Sequence, residues 1–434
     1  MMLILVHSVT NRLSYLFDWM FSGQPGILYV CTTDPWNFDA FTGAKFQYGG
    51  IRRTIDHPYW PSYGLLEETG VREQAMDLSS AEMLFPISGE LGTRHDPFSA
   101  CFYLLSRYEE YLSFRADNYG RFEAAQSVLA KKGMTEYPLA DALKQTVITE
   151  LLDRYPQLSY TPFPFRSTIT IDIDQAFEFT GKSRIRTLGS VVKSALSDPK
   201  RLARQLKVLA GSEPDPYDTY DFILNELGRS RLPFLFFILC RSGTSYDRQV
   251  TIDHPKFEQL ISKLSNVTEP GIHPSFYTHE QPARLKTEIQ FLQSLTGTGI
   301  RRSRQHYLRL FIPSTYRALE TMKIREDYSM GYASIPGFRA GTCSEFLWYD
   351  LENESCTSLK IFPVTMMEGT FAEQMDLSME QAWKRITSLI DTVERFSGHF
   401  IPIWHNHTVS TTEAWNDWRT IFIKMIHTLE QRIP

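Results

Sequence analysis

Cysteine is scarce in this 434-residue chain, and what there is forms no pattern. Cys31, Cys101, Cys240, Cys343 and Cys356 are scattered, with no pair at C-x-x-C spacing. An odd, dispersed set excludes a disulfide framework and a cysteine-built zinc site. It predicts reduced thiols in a reducing compartment, hence a cytoplasmic protein. An excess of positive charge is also missing. Lys plus Arg total 45 against 50 for Asp plus Glu, a formal net charge of −5, which argues against nucleic acid as a partner. No window approaches about eighteen uninterrupted apolar residues, so no membrane span is expected. The apolar start MMLILV is broken by His7, Asn11 and Arg12. With no basic residues before it and no small-residue cleavage site after it, residues 2–6 read as a buried strand rather than an export signal. Internal repeats and low-complexity tracts are lacking too.

What remains is an ordinary globular chain. Hydrophobic residues make up 42% and charged residues 22%, which excludes wholesale disorder. The length suggests two or three domains. The clearest seam is RYPQLSYTPFPFR, residues 154–166, where three prolines predict an extended connector. It divides an N-terminal α/β region, 1–160, from a second region, 161–434. In the first, GILYV (26–30) reads as a strand, Asp96-Pro97 as a capped helix start, and 141–152 as a helix.

The second region alternates strand and helix. STITIDID (167–174) is β-branched with period two, and PFLFFILC (233–240) is apolar throughout, as for a strand covered on both faces. Short strands fit 271–273, 300–304, 359–365 and 399–404. Helical patterns fit 217–229, 255–265, 281–295, 313–322, 378–396 and 413–431. This alternation predicts a parallel sheet with crossover helices, open or closed into a barrel, and active groups at the carboxyl ends of its strands. One connection is too long: an insert at 176–216 carries Lys182, Arg184, Arg186, Lys193, Lys200, Arg201, Arg204 and Lys207, with Asp198 as the lone acid between the first and last of these cations. It reads either as a solvated helical face or as a cationic contact for an anionic glycan, phosphate or membrane surface.

The strand ends carry the chemistry. Asp172 and Asp174, two apart on one strand, share a face, and two such carboxylates need a cation or a proton between them. GIHPS places His273 at a strand terminus, where a metal ligand or a hydrogen-bonded core histidine fits equally. RQHY supplies Arg304, suited to gripping a carboxylate, with His306 and Tyr307 beside it. IWHN supplies Trp404 and His405, and His405 could protonate a leaving group. His407 is expected to be exposed. Glu368 is a further candidate acid. Each alone is weak, but aspartates, histidine, arginine and histidine in order at successive strand ends suit a metal-assisted hydrolase.

ITIDID, GIHPS, RQHY and IWHN, in this order, resemble the polysaccharide deacetylases of the NodB-homology group, carbohydrate esterase family four, over roughly residues 165–430. The region before them, with HDPFSACFYLLSRYEEYL and NYGRF, resembles the N-terminal part of some bacterial deacetylase-like proteins and adds no chemistry to the reading. The resemblance implies a deformed (β/α) barrel preceded by a smaller α/β domain. It implies a divalent metal, commonly zinc, and hydrolysis of the N-acetyl group of an amino sugar in a glycan or glycan precursor. Carried over by position, Asp172 is the base, with Arg304 orienting it, and His405 the acid. Asp174 and His273 are metal ligands. The family's second ligand histidine falls on Tyr277, so His306, His279 or Glu368 must supply the third donor, with His306 the choice made here. Tyr307 and Trp404 are candidate sugar-stacking residues, with core packing the competing role for each, and Asp327 a weak match to a fourth motif. The alternatives are an inactive glycan-binding or regulatory protein on the same scaffold, and a carboxylate-based glycoside hydrolase using Asp172 with an acid such as Glu368.

Overall fold

Period-two alternation builds the sheet around which the chain is organised. The computed structural model describes residues 1–79, 84–89, 92–241 and 243–433. Four short parallel strands open the chain: β1 (Met2–Leu5), β2 (Tyr29–Thr32), β3 (Lys45–Tyr48) and β4 (Tyr59–Trp60), in the order β2-β1-β3-β4. The second region follows with β5 (Ile169–Ile173), β6 (Phe234–Ile238), β7 (Gly271–Ile272), β8 (Arg302–Ser303), β9 (Glu326–Asp327), β10 (Phe346–Asp350), β11 (Ser355–Ile361), β12 (Met366–Met367) and β13 (Pro402–His405). They form one sheet in the order β10-β11-β9-β8-β7-β6-β5-β13-β12. Every pairing is parallel except the β10–β11 hairpin.

The two faces of the strands have different fates. Ile169, Ile171 and Ile173 of β5 join the large core beneath the helices, while Thr170 and Asp172 turn to the other side. Leu235 and Phe237 of β6, Tyr328, Phe362 and Ile401 form a separate apolar cluster on that inner side. Arg304 lies over it, 4.4 Å from the Phe237 ring centre. The chain after β11 links distant parts of the sheet: Phe362 N–H donates to the Asp327 carbonyl, Val364 to Met330 and Thr365 to Ile401. One continuous segment therefore bonds to the β9 side with its first half and to the β13 side with its second.

The helices fall close to their predicted positions, including Pro255–Ser265, Pro282–Thr296, Met379–Arg395 and Asn416–Glu430. β9, β10 and β12 were not anticipated; two are only two residues long, too short for periodicity to register. The 176–216 insert contains two helices, Arg184–Ser197 and Pro199–Leu209. Residues 157–165 carry no helix or strand, as the prolines predict. All five cysteines are free. Among the described residues no helix is long and apolar enough to cross a membrane.

The N-terminal region does not stand apart. Its helix Pro97–Leu105 is capped by buried Asp96, which accepts from the Phe98 and Ser99 N–H groups. That helix packs on β10, and the rings of Tyr15 and Phe102 lie 5.0 and 5.2 Å from Tyr349. One contiguous apolar core spans both regions. A buried ion cluster crosses the same junction. Glu110 accepts from Arg107 Nε at 2.8 Å and from Arg339 Nε and Nη2 at 2.9 and 2.6 Å, and Arg107 also holds Glu109. Burial pushes the Glu110 pKa up, but the two guanidiniums outweigh it and leave it below the usual carboxylate value. Glu110→Ala strips a buried charge from two buried guanidiniums. It is expected to cost about 3–5 kcal/mol of unfolding free energy, read from urea denaturation against wild type.

Candidate metal centre

Asp174, just beyond the end of β5, faces three imidazoles. Its Oδ1 lies 3.1 Å from His273 Nε2, and its Oδ2 lies 3.4 Å from His306 Nε2 and 3.6 Å from His405 Nε2. These histidines come from three places: after β7, after β8 and at the end of β13. Parallel pairing explains the meeting. Register sets His405 beside Asp172, Ile238 beside Ile272 and Ile272 beside Ser303, so successive strand ends share one rim.

The orientation of each ring is fixed from behind. His273 Nδ1 is 2.5 Å from the Arg304 carbonyl, so it must donate there. His306 Nδ1 is 3.0 Å from Asp247 Oδ1, and His405 Nδ1 is 2.7 Å from Glu368 Oε1. With each Nδ1 engaged by an acceptor, every Nε2 is directed at Asp174. That is the arrangement in which neutral imidazoles present lone pairs to a cation. Asp174, His273 and His306 hold one donor atom each within 4.8 Å of one another. Tetrahedral bonds of about 2.0–2.1 Å set neighbouring donors about 3.3 Å apart, and one Asp174 oxygen lies 3.1 Å from His273 Nε2 while the other lies 3.4 Å from His306 Nε2. Asp174 Oδ1 is buried and has no hydrogen-bond partner, a lone pair directed into the site. The donor set fits a divalent metal.

The electrostatics agree. Burial would pull the His306 pKa down, but Asp174 and Asp247 raise it to about 9. Burial likewise opposes protonation of His405, and Glu368 and Asp174 overcome it, pushing the pKa up to about 10. Asp174 is desolvated, yet His306 and His405 hold its carboxyl well below the usual range. Protons on His306 and His405 are thus favoured by the surrounding carboxylates.

Asp172 sits one step deeper. Arg304 Nη1 donates to its Oδ1 at 2.8 Å and to Thr170 Oγ1 at 2.7 Å. Its Oδ2 is 3.8 Å from His273 Nε2. Asp172, Asp174, His273, His306 and His405 all line one cleft of about 450 Å³. Tyr307 lines it as well, at φ 61° and ψ 14°, a left-handed backbone that a side-chain-bearing residue adopts only when held there. The holders are Arg121, which donates to the Tyr307 carbonyl at 2.6 Å, and Tyr119, whose ring stacks on Tyr307 at 5.1 Å.

Several expectations need correction. Trp404 is fully buried, packs on Trp418 and Phe422 beneath the helices, and does not line the cleft, because its place on β13 turns it to the opposite face from His405. The N-terminal region does contribute, through Tyr119 and Arg121. His407 is half-buried at the cleft, its pKa pushed down to about 4 by burial and by neighbouring His405. Tyr277 packs near Arg284 and Phe276, and His279 stacks on Phe311 beside Arg309; neither lines the cleft. Asp327 is buried among Ser303 and Ser329 and serves the sheet. Glu368 does not line the cleft and reaches it through His405 and Thr408. Asp247 escaped notice altogether, since a single aspartate in the loop after β6 carries no sequence signal.

Asp247→Asn keeps the shape but removes the acceptor charge behind His306. It is expected to weaken zinc binding about 10–100-fold in competition with a chelating dye, with the fold unchanged by circular dichroism. Zinc must also displace the proton on His306. Affinity is therefore expected to rise with pH toward about 9, and titration calorimetry in buffers of different ionisation enthalpy should show net proton release at pH 7. Equal heats in all buffers would contradict this.

Comparison with known proteins places these features in context. A family described as one of unknown function, DUF7033, matches residues 2–156. No curated protein matches the chain. Among solved structures, one assigned as a polysaccharide deacetylase from Mycobacterium smegmatis is 12% identical, with a TM-score of 0.42 over 63% of this chain and 86% of its own. The PuuE allantoinase is 12% identical, with a TM-score of 0.39 over 63% and 89%. One assigned as a polysaccharide deacetylase from Pseudomonas aeruginosa PAO1 is 10% identical, with a TM-score of 0.38 over 62% and 85%. The chemistry of the cleft has to be argued from its own residues.

Proposed function

We propose that the protein is a metal-dependent hydrolase that removes the N-acetyl group from an amino sugar within a glycan or glycan precursor. The observation that carries the reading is the meeting of Asp174, His273 and His306 with Asp172–Arg304 and His405–Glu368 at one cleft. Hydrolysis of an amide needs a polarised carbonyl, a base for water and an acid for the departing amine. The sugar is the part contributed by the resemblance of ITIDID, GIHPS, RQHY and IWHN to carbohydrate deacetylases. The deformed-barrel reading of the fold draws support from the segment 362–365, which bonds to both sides of the sheet.

Asp174, His273 and His306 would hold the cation, with zinc favoured by two imidazoles and one carboxylate. Bound there, it would act as a Lewis acid toward the acetamide carbonyl. The rest is done by the chain. Asp172 receives the proton of the attacking water at Oδ2, the oxygen that Arg304 leaves free. Arg304 is an orienting residue; held by Thr170 and the Tyr328 carbonyl, it fixes the rotamer of Asp172. His405, charged through Glu368, delivers a proton from Nε2 to the leaving nitrogen, without which the amine is a poor leaving group. Tyr307, set against Tyr119, offers a ring at the cleft wall for a sugar face. The inactive alternative drew on Tyr277 standing where a second ligand histidine belongs. His306 offers a replacement donor from the next strand end, so no observation favours that alternative.

Asp172→Asn is expected to lower turnover of an N-acetylglucosamine oligomer by at least about 100-fold while leaving zinc affinity within about twofold. Released acetate and chelator competition are the two measurements. Retained turnover would remove Asp172 as the base, and chelator-insensitive cleavage of a glycosidic bond would replace the reading with a carboxylate-based glycosidase.

A further inference from the structure

The helical hairpin 183–209 carries an apolar ridge that faces away from the protein. On Arg184–Ser197, Ile185, Leu188, Val192 and Leu196 are 85%, 65%, 51% and 85% exposed. At 3.6 residues per turn these four fall within an arc of about 80°. The one buried residue of that helix, Ser194, lies on the opposite side. A helix that packs its polar face inward and turns its leucines outward inverts the usual arrangement of a surface helix. Such a ridge calls for a partner.

Charge says which partner. Residues 182–207 hold Lys182, Arg184, Arg186, Lys193, Lys200, Arg201, Arg204 and Lys207 against Asp198 alone, in a chain whose net charge is −5. Some of this charge is used locally: Arg201 pairs with Glu178, Lys207 with Glu213, and Arg186 bonds the Arg248 and Gln249 carbonyls. Arg184, Lys193, Lys200 and Arg204 are exposed and make no ion pair among the described residues. Arg184 and Lys193 project from the two flanks of the apolar ridge. Lys200 and Arg204 are exposed along one flank of the helix Pro199–Leu209, beside its buried Gln205 and Val208. We propose that this hairpin docks the protein on an anionic lipid bilayer, with the ridge entering the headgroup boundary and the four cations meeting lipid phosphates.

A bilayer fits better than the other occupants. A second copy joined symmetrically would press a strongly basic hairpin against itself. A protein partner would have to offer a groove to a convex ridge, whereas a bilayer accepts one by penetration. The anchoring is compatible with a fixed stance. Asp215 accepts from the Glu178, Phe179 and Thr180 N–H groups, clamping the two ends of the insert together, and the helix Arg184–Ser197 begins ten residues after Asp174. This surface stands independently of the hydrolase reading, because its test involves no turnover.

The test is co-sedimentation of the full chain with vesicles of equal parts phosphatidylglycerol and phosphatidylcholine, against vesicles of phosphatidylcholine alone. Wild type is expected to bind the anionic vesicles and to be released by salt. Lys193→Glu with Arg204→Glu, and separately Leu188→Ser with Leu196→Ser, are each expected to lower partitioning at least about tenfold, since each surface cation is worth about fivefold. All four sites are exposed, so the variants should retain the wild-type circular dichroism spectrum. The proposal is overturned if wild type stays in the supernatant, if it binds both vesicles equally, or if either variant pair binds as wild type does. Self-association that Leu188→Ser with Leu196→Ser abolishes, without vesicle binding, would assign the ridge to a second copy instead.

Discussion

The structure turns on the charge balance around Asp174. Four carboxylates, Asp172, Asp174, Asp247 and Glu368, approach one cleft, and among the described residues the only permanent cation bonded to any of them is Arg304 on Asp172. Such a group of anions is stable only if more positive charge is supplied. The imidazoles of His306 and His405 are the adjustable source, because the surrounding carboxylates raise both pKa values. With a proton each is a partner of the carboxylates; without one, the His306 Nε2 is free to act as a ligand. The same geometry serves both states, because each Nδ1 is committed elsewhere. A divalent cation is thus an exchange for protons rather than an addition to a neutral cavity.

The fold supplies this arrangement through its layers. Inner-facing side chains change character along the strand direction. At one end they are apolar, with Leu235, Phe237, Tyr328, Phe362 and Ile401. Arg304 covers them, its guanidinium over the Phe237 ring, with Nη1 donating to Thr170 and Asp172 and Nε to the Tyr328 carbonyl. Asp172 comes next, and Asp174 opens the cleft. A guanidinium suits the boundary layer because its face tolerates an aromatic ring while its edge donates to carboxylates.

Much of this was legible in the residues. The alternation in STITIDID put Asp172 and Asp174 on one face, and both line the cleft; a strand-end motif located each histidine. The structure brings Asp174, His273 and His306 together, as the sequence reading expected of its three ligands. What was hidden has a common cause. Asp247 and Tyr119 act from loops whose positions depend on the packed whole, and no periodicity encodes them. Trp404 was misread for a subtler reason: proximity to His405 in sequence implies the opposite face of the strand, and period two should have turned it into the core. The N-terminal strands β3 and β4 are short and join a sheet whose order does not follow the chain.

The dependence of the cleft on the N-terminal region explains why the two parts share one core. Tyr307 holds a left-handed backbone that costs free energy, in a tight turn closed by the Leu308 N–H on the Gln305 carbonyl and the Arg309 N–H on the His306 carbonyl. Further restraint comes from Tyr119 and Arg121, on a loop fixed in turn by Asp117 and by Arg309, which donates to the Tyr119 carbonyl and lies over the Phe276 ring. A loop can impose a strained conformation only if it is itself immobile. Immobility here is inherited from the packing of the helix Pro97–Leu105 against β10 and from the ion cluster of Arg107, Glu110 and Arg339. The N-terminal region is then a wall of the cleft as well as a neighbour of the sheet, and changes at that junction should be felt at Tyr307 before they are felt at Asp174, whose restraints all come from the sheet side.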